Sequence, residues 1–193
     1  MKICVIRANR MSPDPLTLAA AEQARNVAVQ MMVERGRGLV LVGAARLDLA
    51  LEHLLKAVMA PSAEPDDKLF TPDRSLGSYG AKISLAARLG LIAPPIEQAL
   101  HAIRSVRNDF AHSAAEPTLA EPRHQKRLQR VYPEAETSPL WIALAPLLQS
   151  QAGLSAEEQA FILLVTTLVA SIEACALLQK PFAPRATVRF KNG

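Results

Sequence analysis

Apolar residues recur along this chain at helical spacing. Between Leu16 and Arg35, Leu18, Ala21, Ala28 and Met32 fall roughly in phase with a 3.6-residue turn. Ser12 or Asp14 can cap this helix, and Pro15 suits its first turn. "ERGRG" breaks the pattern at Gly36 and Gly38. From Leu39 to Ala60 the chain is apolar on nearly every face, which predicts a helix in the middle of a bundle. Residues 61–75 hold three prolines and four acids and predict a mobile loop. A shorter helix is expected from Ser78 to Leu89, stopped by Gly90. The next, Ile96 to His112, places Ile96, Leu100, Ile103, Val106 and Phe110 on one side.

Residues 114–139 are charged and punctuated by proline, with one short helix expected from Glu121 to Val131. "LWIALAPLLQS" predicts a short helix with Pro146 inside it, a residue able to kink it. Ser155 followed by Glu158 forms a capping box, opening a long helix to about Gln179. The tail "KPFAPRATVRFKNG" is basic and loosely patterned.

Composition agrees with this reading. Half of the 193 residues are hydrophobic but only 4% are aromatic, so Ala and Leu carry the apolar content and helices packed on helices are favoured over sheet. The expected fold class is all-α: a single-domain bundle of about six or seven helices. Within 1–193 this gives an N-terminal arm at 1–14, the bundle at 15–178 and the tail at 179–193.

Charge and cysteine content narrow the function classes. Lys and Arg number 22 against 18 Asp and Glu; the formal charge of +4 is too small by itself to indicate nucleic acid. Cys4 and Cys175 stand far apart without a CxxC neighbour, which points away from a disulfide framework or zinc site and toward a reducing cytoplasm. No uninterrupted apolar run reaches the roughly 18 residues of a membrane span, and the start lacks a signal-peptide pattern. The expected location is the cytoplasm, with no membrane, metal or cofactor.

One stretch stands out chemically. "SVRNDFAHSA" (105–114) sets Arg107, Asn108, Asp109 and His112 where a helix runs out. Arg104, Asn108 and His112 recur every four residues and form one column beside the apolar face. Arg107 lies roughly 140° round from His112 on an ideal helix, so the two converge only if the last turn bends or unwinds. On the apolar middle helix, Asp48 and Glu52 are spaced i, i+4, with His53 beside them. Carboxylates there need partners, and Arg104 and Arg107 are the natural candidates. Ordinary helix chemistry accounts for much of this: ion pairs for Arg104, Asp48 and Glu52, and a cation favoured by the helix dipole for His112.

"RNDFAH" is an R-x4-H motif and resembles the HEPN superfamily, all-helical domains in which such a motif closes a helix. The longer "ALHAIRSVRNDFAH" is similar to the mannitol operon repressor family of bacterial regulators. So are "LGSYGAKISLAARLGLI" at 76–92 and "GAARLDLALEHLLKA" at 43–57. The resemblance covers about 38–113; the proline-rich 114–139 segment and the first ten residues depart from it.

Two functions follow from the resemblance. As a mannitol-repressor-like regulator, the chain shows no helix-turn-helix, zinc finger or basic zipper, so direct DNA binding is not expected and a protein partner is. The only concentrated basic stretch is Arg123, Lys126, Arg127 and Arg130, with His124 among them, and it reads as a solvated helix face or a binding patch. As a HEPN-type, metal-independent endoribonuclease, Arg107 would hold the scissile phosphate of RNA. His112 would move protons at the 2′-hydroxyl, and Asn108 would orient one of them. Because the motif matches one pattern and all three blocks match the other, the regulator reading leads. A homodimer through the Ile96–His112 helix is expected under either, as the long last helix is apolar over more than one face.

Overall fold

The computed structural model describes residues 15–62 and 67–183, apart from the side chains of 15–17, 19 and 20. The N-terminal arm, with its candidate caps Ser12 and Asp14, lies outside the described residues, as do 184–193. Among the described residues the elements are helical throughout. In order they are α1 (Pro15–Val33), α2 (Arg37–Val58), a 3-10 turn (Lys68–Phe70), α3 (Tyr79–Arg88), α4 (Pro94–His112), α5 (Pro122–Leu128), α6 (Tyr132–Glu136), α7 (Pro139–Gln149) and α8 (Ala156–Leu178).

The all-α bundle expected from the sequence is observed, with one difference in its elements. The helix expected over 121–131 is α5, which ends earlier, at Leu128, and α6 is an eighth α-helix among the described residues, in a stretch expected to be loop. A tight turn, with Val131 N–H donating to the Leu128 carbonyl at 3.0 Å, ends α5. Pro133, fixed near helical φ, sits in the opening turn of α6. Within the loop expected at 61–75, the 3-10 turn buries Phe70.

α8 is the central rod. Every residue from Phe161 to Ala170 is buried, because α1, α2, α6 and α7 all pack against it. Its length and apolarity suffice to cross a membrane, yet 67% of that window is buried inside the bundle, so its hydropathy is accounted for as core. The capping box forms: Ser155 Oγ accepts from Glu158 N–H at 3.2 Å, and Glu158 Oε2 accepts from Ser155 N–H at 3.0 Å. The other oxygen, Glu158 Oε1, accepts from Gly36 N–H at 3.2 Å. Gly36 makes the turn between α1 and α2 at φ +49°, a conformation that disfavours side chains. Arg35 Nη1 donates to the Gly153 carbonyl at 2.7 Å. At the far ends, His53 of α2 meets Glu173 of α8 at 2.8 Å, so α2 and α8 start and finish together and run parallel.

Contact between the rods is close at Gly43. A Cβ there would lie 2.8 Å from the Met31 methyl and 3.3 Å from Phe161 and Val165. The core continues through Leu47, Leu51, Leu54 and Leu55 of α2, Ile83 of α3, and Leu100, Ile103, Val106 and Phe110 of α4, all fully buried. Burying each such side chain contributes about 1.5–3 kcal/mol. Arg37, in the first turn of α2, donates to the Ser113 and Ala115 carbonyls at 3.0 and 2.9 Å. It thereby satisfies carbonyls at the end of α4 and fixes the R-x4-H motif beside the start of α2.

Candidate functional site

The carboxylates of α2 find their cation on α3. Lys82 Nζ lies 2.9 Å from Glu52 Oε2 and 3.1 Å from Asp48 Oδ1, with its side chain only 4% exposed. Lys56 holds the second oxygen of Glu52 at 2.7 Å. Both lysines face the Phe70 ring, at 4.9 Å for Lys56 and 5.9 Å for Lys82. The expectation that Arg104 or Arg107 pairs with these acids is corrected: among the described residues Lys82 occupies that place. Arg104 is exposed and lies over the first turn of α3, where a Cβ on Gly80 would come within 3.0 Å of its Nε.

The pairing is geometrically incomplete. Asp48 Oδ1 is within ion-pair distance of Lys82 but off the hydrogen-bond direction, and, buried, it has no hydrogen-bond partner. The Tyr79 hydroxyl is buried without a partner too. Its ionisation is pushed far up, chiefly by burial and also by the charge of Asp48, with Arg104 opposing.

Burial raises the Glu52 pKa, but hydrogen bonds and charge from Lys56 and Lys82 together outweigh it and hold the carboxyl below its ordinary 4.5. The Asp109 carboxyl is held below its ordinary 3.8, first by the hydrogen bond from Arg127, with burial opposing. A carboxyl depressed in the folded state adds stability that is complete above its unfolded pKa and lost as pH falls through the folded one. Melting temperature should therefore hold from neutrality down to about pH 5 and drop steeply below about pH 4. In a Glu52→Gln, Asp109→Asn variant the acid limb should be shallower; an unchanged limb would show that these pairs do not carry it.

The motif on α4 divides into an inner and an outer half. Asp109, which the sequence reading left unassigned, accepts from Arg127 Nη1 and lies 3.4 Å from His124 Nε2. His124 is fully buried, with Nδ1 2.7 Å from the Thr118 carbonyl, so Nδ1 carries the proton. Its ring tilts against Phe110 at 5.1 Å. Asp109 and Phe110 thus fasten α5 to α4. Outside, Arg107 is exposed and donates from Nη1 to Asn108 Oδ1 at 3.2 Å, while His112 is exposed as the last residue of α4.

The helix stays regular to its end, where Ser113 N–H donates to the Asp109 carbonyl at 3.0 Å. Arg107 and His112 keep their separation of roughly 140° around the axis. One chain does not bring them onto a common point.

Of the basic stretch on α5 and just beyond it, Arg127 is committed to Asp109, and Arg123 pairs with Glu121 at 2.8 Å. Lys126 and Arg130 are exposed. A groove of about 290 Å³ between α1 and α2 is lined by Gln23, Asn26, Gln30 and Arg46 with Val27 and Val29. Among the described residues, no group of three or more His, Cys, Asp or Glu side chains is placed to hold a metal ion.

Lys82 carried a readable signal. With Tyr79, Ile83 and Ala86 it sits at the 3–4 spacing of the buried stripe, a place where a cation needs buried acids. His124 shares the buried face of α5 with Leu128, four residues on, although its neighbours in sequence are basic and outward.

A likeness to a solved protein–protein complex bears on this arrangement. A chain in the X-ray structure of the MtlR–HPr complex from Escherichia coli superposes with a TM-score of 0.60. The match covers 79% of this chain and 99% of that one at 16% identity. The fold is MtlR-like. At that identity the likeness speaks for the fold alone. No family model and no curated protein matches the sequence.

Proposed function

We propose that this chain is an MtlR-like regulator, of the mannitol-operon-repressor kind, which acts by binding another protein rather than by reading DNA. The observation carrying this reading is the shared fold over nearly the whole length of a chain solved in a protein–protein complex. The three sequence blocks at 43–57, 76–92 and 99–112 support it, and they fall on α2, α3 and α4. The Lys82 cluster serves this function by holding α3 against α2, and the Asp109–Arg127 pair by fastening α5 to α4. Fold alone does not fix function, so the partner itself must be tested.

The finer reading includes a cytoplasmic location and a homodimer through the column of exposed Arg104, half-buried Asn108 and exposed His112. The apolar breadth of α8 no longer argues for that dimer, because α8 is covered within a single chain. The experiment is isothermal titration of the purified chain with Escherichia coli HPr. Saturable heat of binding is the expected result; none at concentrations of about 100 μM would remove HPr as the partner and the regulator reading with it. Light scattering of the same sample should give twice the 20.9 kDa chain mass, and a monomer mass would remove the dimer.

A further inference from the structure

We infer that the outward face of the α3–α4 hairpin is the docking surface for the protein partner, and that the partner meets it with carboxylates. The inference deepens the regulator reading by naming where the partner binds, and rests on it for the existence of a partner. Residues 89–93 join the two helices, with Leu91 N–H donating to the Ala86 carbonyl at 2.9 Å. Gly80 near the start of α3 meets Arg104 late in α4, so the helices run antiparallel.

Charge on this hairpin is one-sided. Arg88, Arg104 and Arg107 are exposed, and none of them has an ion-pair acid among the described residues. α3 contains no acid, and α4 contains only Glu97 and Asp109. Asp109 is taken by Arg127 of α5, and Glu97 has His101 at 3.9 Å. Elsewhere the fold gives cations their acids: Lys56 and Lys82 meet Glu52, and Arg123 meets Glu121. Three arginines without a counter-charge on one face raise a positive potential that an outside anion would relieve.

The kind of cation points to an interface. Lys82, the one lysine between residues 76 and 113, is buried, so every exposed permanent cation there is an arginine. Interfaces are enriched in Arg and depleted of Lys, since the planar guanidinium can grip a carboxylate through two N–H groups. Two of the three guanidinia are already placed. Arg104 lies against Gly80, where a Cβ would come within 3.0 Å of Nε and 3.3 Å of Nη2. Arg107 donates to Asn108 Oδ1 at 3.2 Å. Side chains held in advance lose less entropy on binding. At 1.5 Å per residue, Gly80 to Arg88 along α3 and Arg104 to Arg107 along α4 together extend roughly 16 Å, about three turns of a docked helix.

The rings of this hairpin help to select the occupant. A single-stranded nucleic acid stacks its bases on exposed aromatics, and here Phe110 is fully buried and the Tyr79 hydroxyl is buried. A second copy would set arginine against arginine, at a cost. The column proposed for self-association shares Arg104, so an acidic partner takes the place of the second copy there.

The test is fluorescence anisotropy with a labelled synthetic helix carrying glutamates on one face at successive turns. The wild-type chain should bind it saturably, and less tightly as salt is raised. Arg104→Ala, Arg107→Ala, verified as folded by circular dichroism, should weaken binding roughly tenfold or more, and Arg88→Ala severalfold. Arg104→Lys, Arg107→Lys keeps the charge and should still weaken it severalfold, because the planar fork is lost. Arg25→Ala, Lys180→Ala removes two exposed cations elsewhere and should leave binding unchanged. Absence of saturable binding, or equal weakening by the two double alanine variants, overturns the assignment. So does tighter binding of a labelled single-stranded RNA that depends on Arg104 and Arg107, which would make the face a nucleic-acid site. HPr separates this from the regulator reading. If HPr binds wild type and the Arg104→Ala, Arg107→Ala variant alike, the surface is wrong while the regulator reading stands. If HPr does not bind at all, the regulator reading fails and the peptide still decides the surface.

Discussion

Replacing Lys82 with alanine is expected to lower stability by about 3 kcal/mol, the lower end of what breaking a buried ion pair costs. The lower end applies because Asp48 and Glu52 keep side-chain exposures of 32% and 20%, so water relieves part of the loss. For a chain of this size that corresponds to a fall of roughly 6–12 °C in melting temperature. The mechanism is specific. Lys82 is shared by two acids on α2; without it Glu52 keeps Lys56, but Asp48, whose Oδ1 already lacks a hydrogen bond, is left uncompensated. Lys82→Met keeps the aliphatic volume and should still lose most of that stability. Adding Asp48→Asn and Glu52→Gln to Lys82→Met should recover a large part, because the uncompensated charges are then gone. A Lys82→Ala protein melting with the wild type would show that the cluster is solvated.

The second large effect is expected at Phe110. Truncation to alanine should cost about 3–5 kcal/mol, the transfer loss of a buried ring plus the cavity it leaves. Phe110 is fully buried and also supports His124, so the loss should reach α5 and make the 116–131 segment more susceptible to proteolysis. Arg107→Ala, three residues earlier on the exposed side, should change stability by no more than about 0.5 kcal/mol. Urea denaturation of both variants checks the contrast. Equal costs would mean that the motif is not divided into a structural and an exposed half.

What could be read from the sequence follows the range of the interactions involved. Ser155 with Glu158, the stop at Gly90 and the apolar stripe of α4 are written within a few residues, and each stands where the pattern put it. α6 is a local event too, with Pro133 in its first turn, but five residues carry too little periodicity to register as a helix. The partner of Asp48 and Glu52 was different in kind. Helical spacing marks the acids as needing a cation, yet which helix supplies it depends on how α3 and α4 settle against α2. The sequence offered arginines in the R-x4-H motif, and the fold chose a lysine on the buried stripe of α3. Likewise, an apolar α8 is compatible with a dimer seam or with a central rod. Only the arrangement of α1, α2, α6 and α7 around it separates the two.

The reading we propose makes the exposed Arg107 and His112 part of a binding surface rather than a nuclease centre. The most direct measurement is incubation of the purified protein with labelled single-stranded RNA in EDTA, beside an Arg107→Ala, His112→Ala variant. Intact RNA in both reactions is the predicted result of the binding reading, and within one chain Arg107 and His112 point apart on a regular helix. Cleavage by the wild type, lost in the variant, would contradict it.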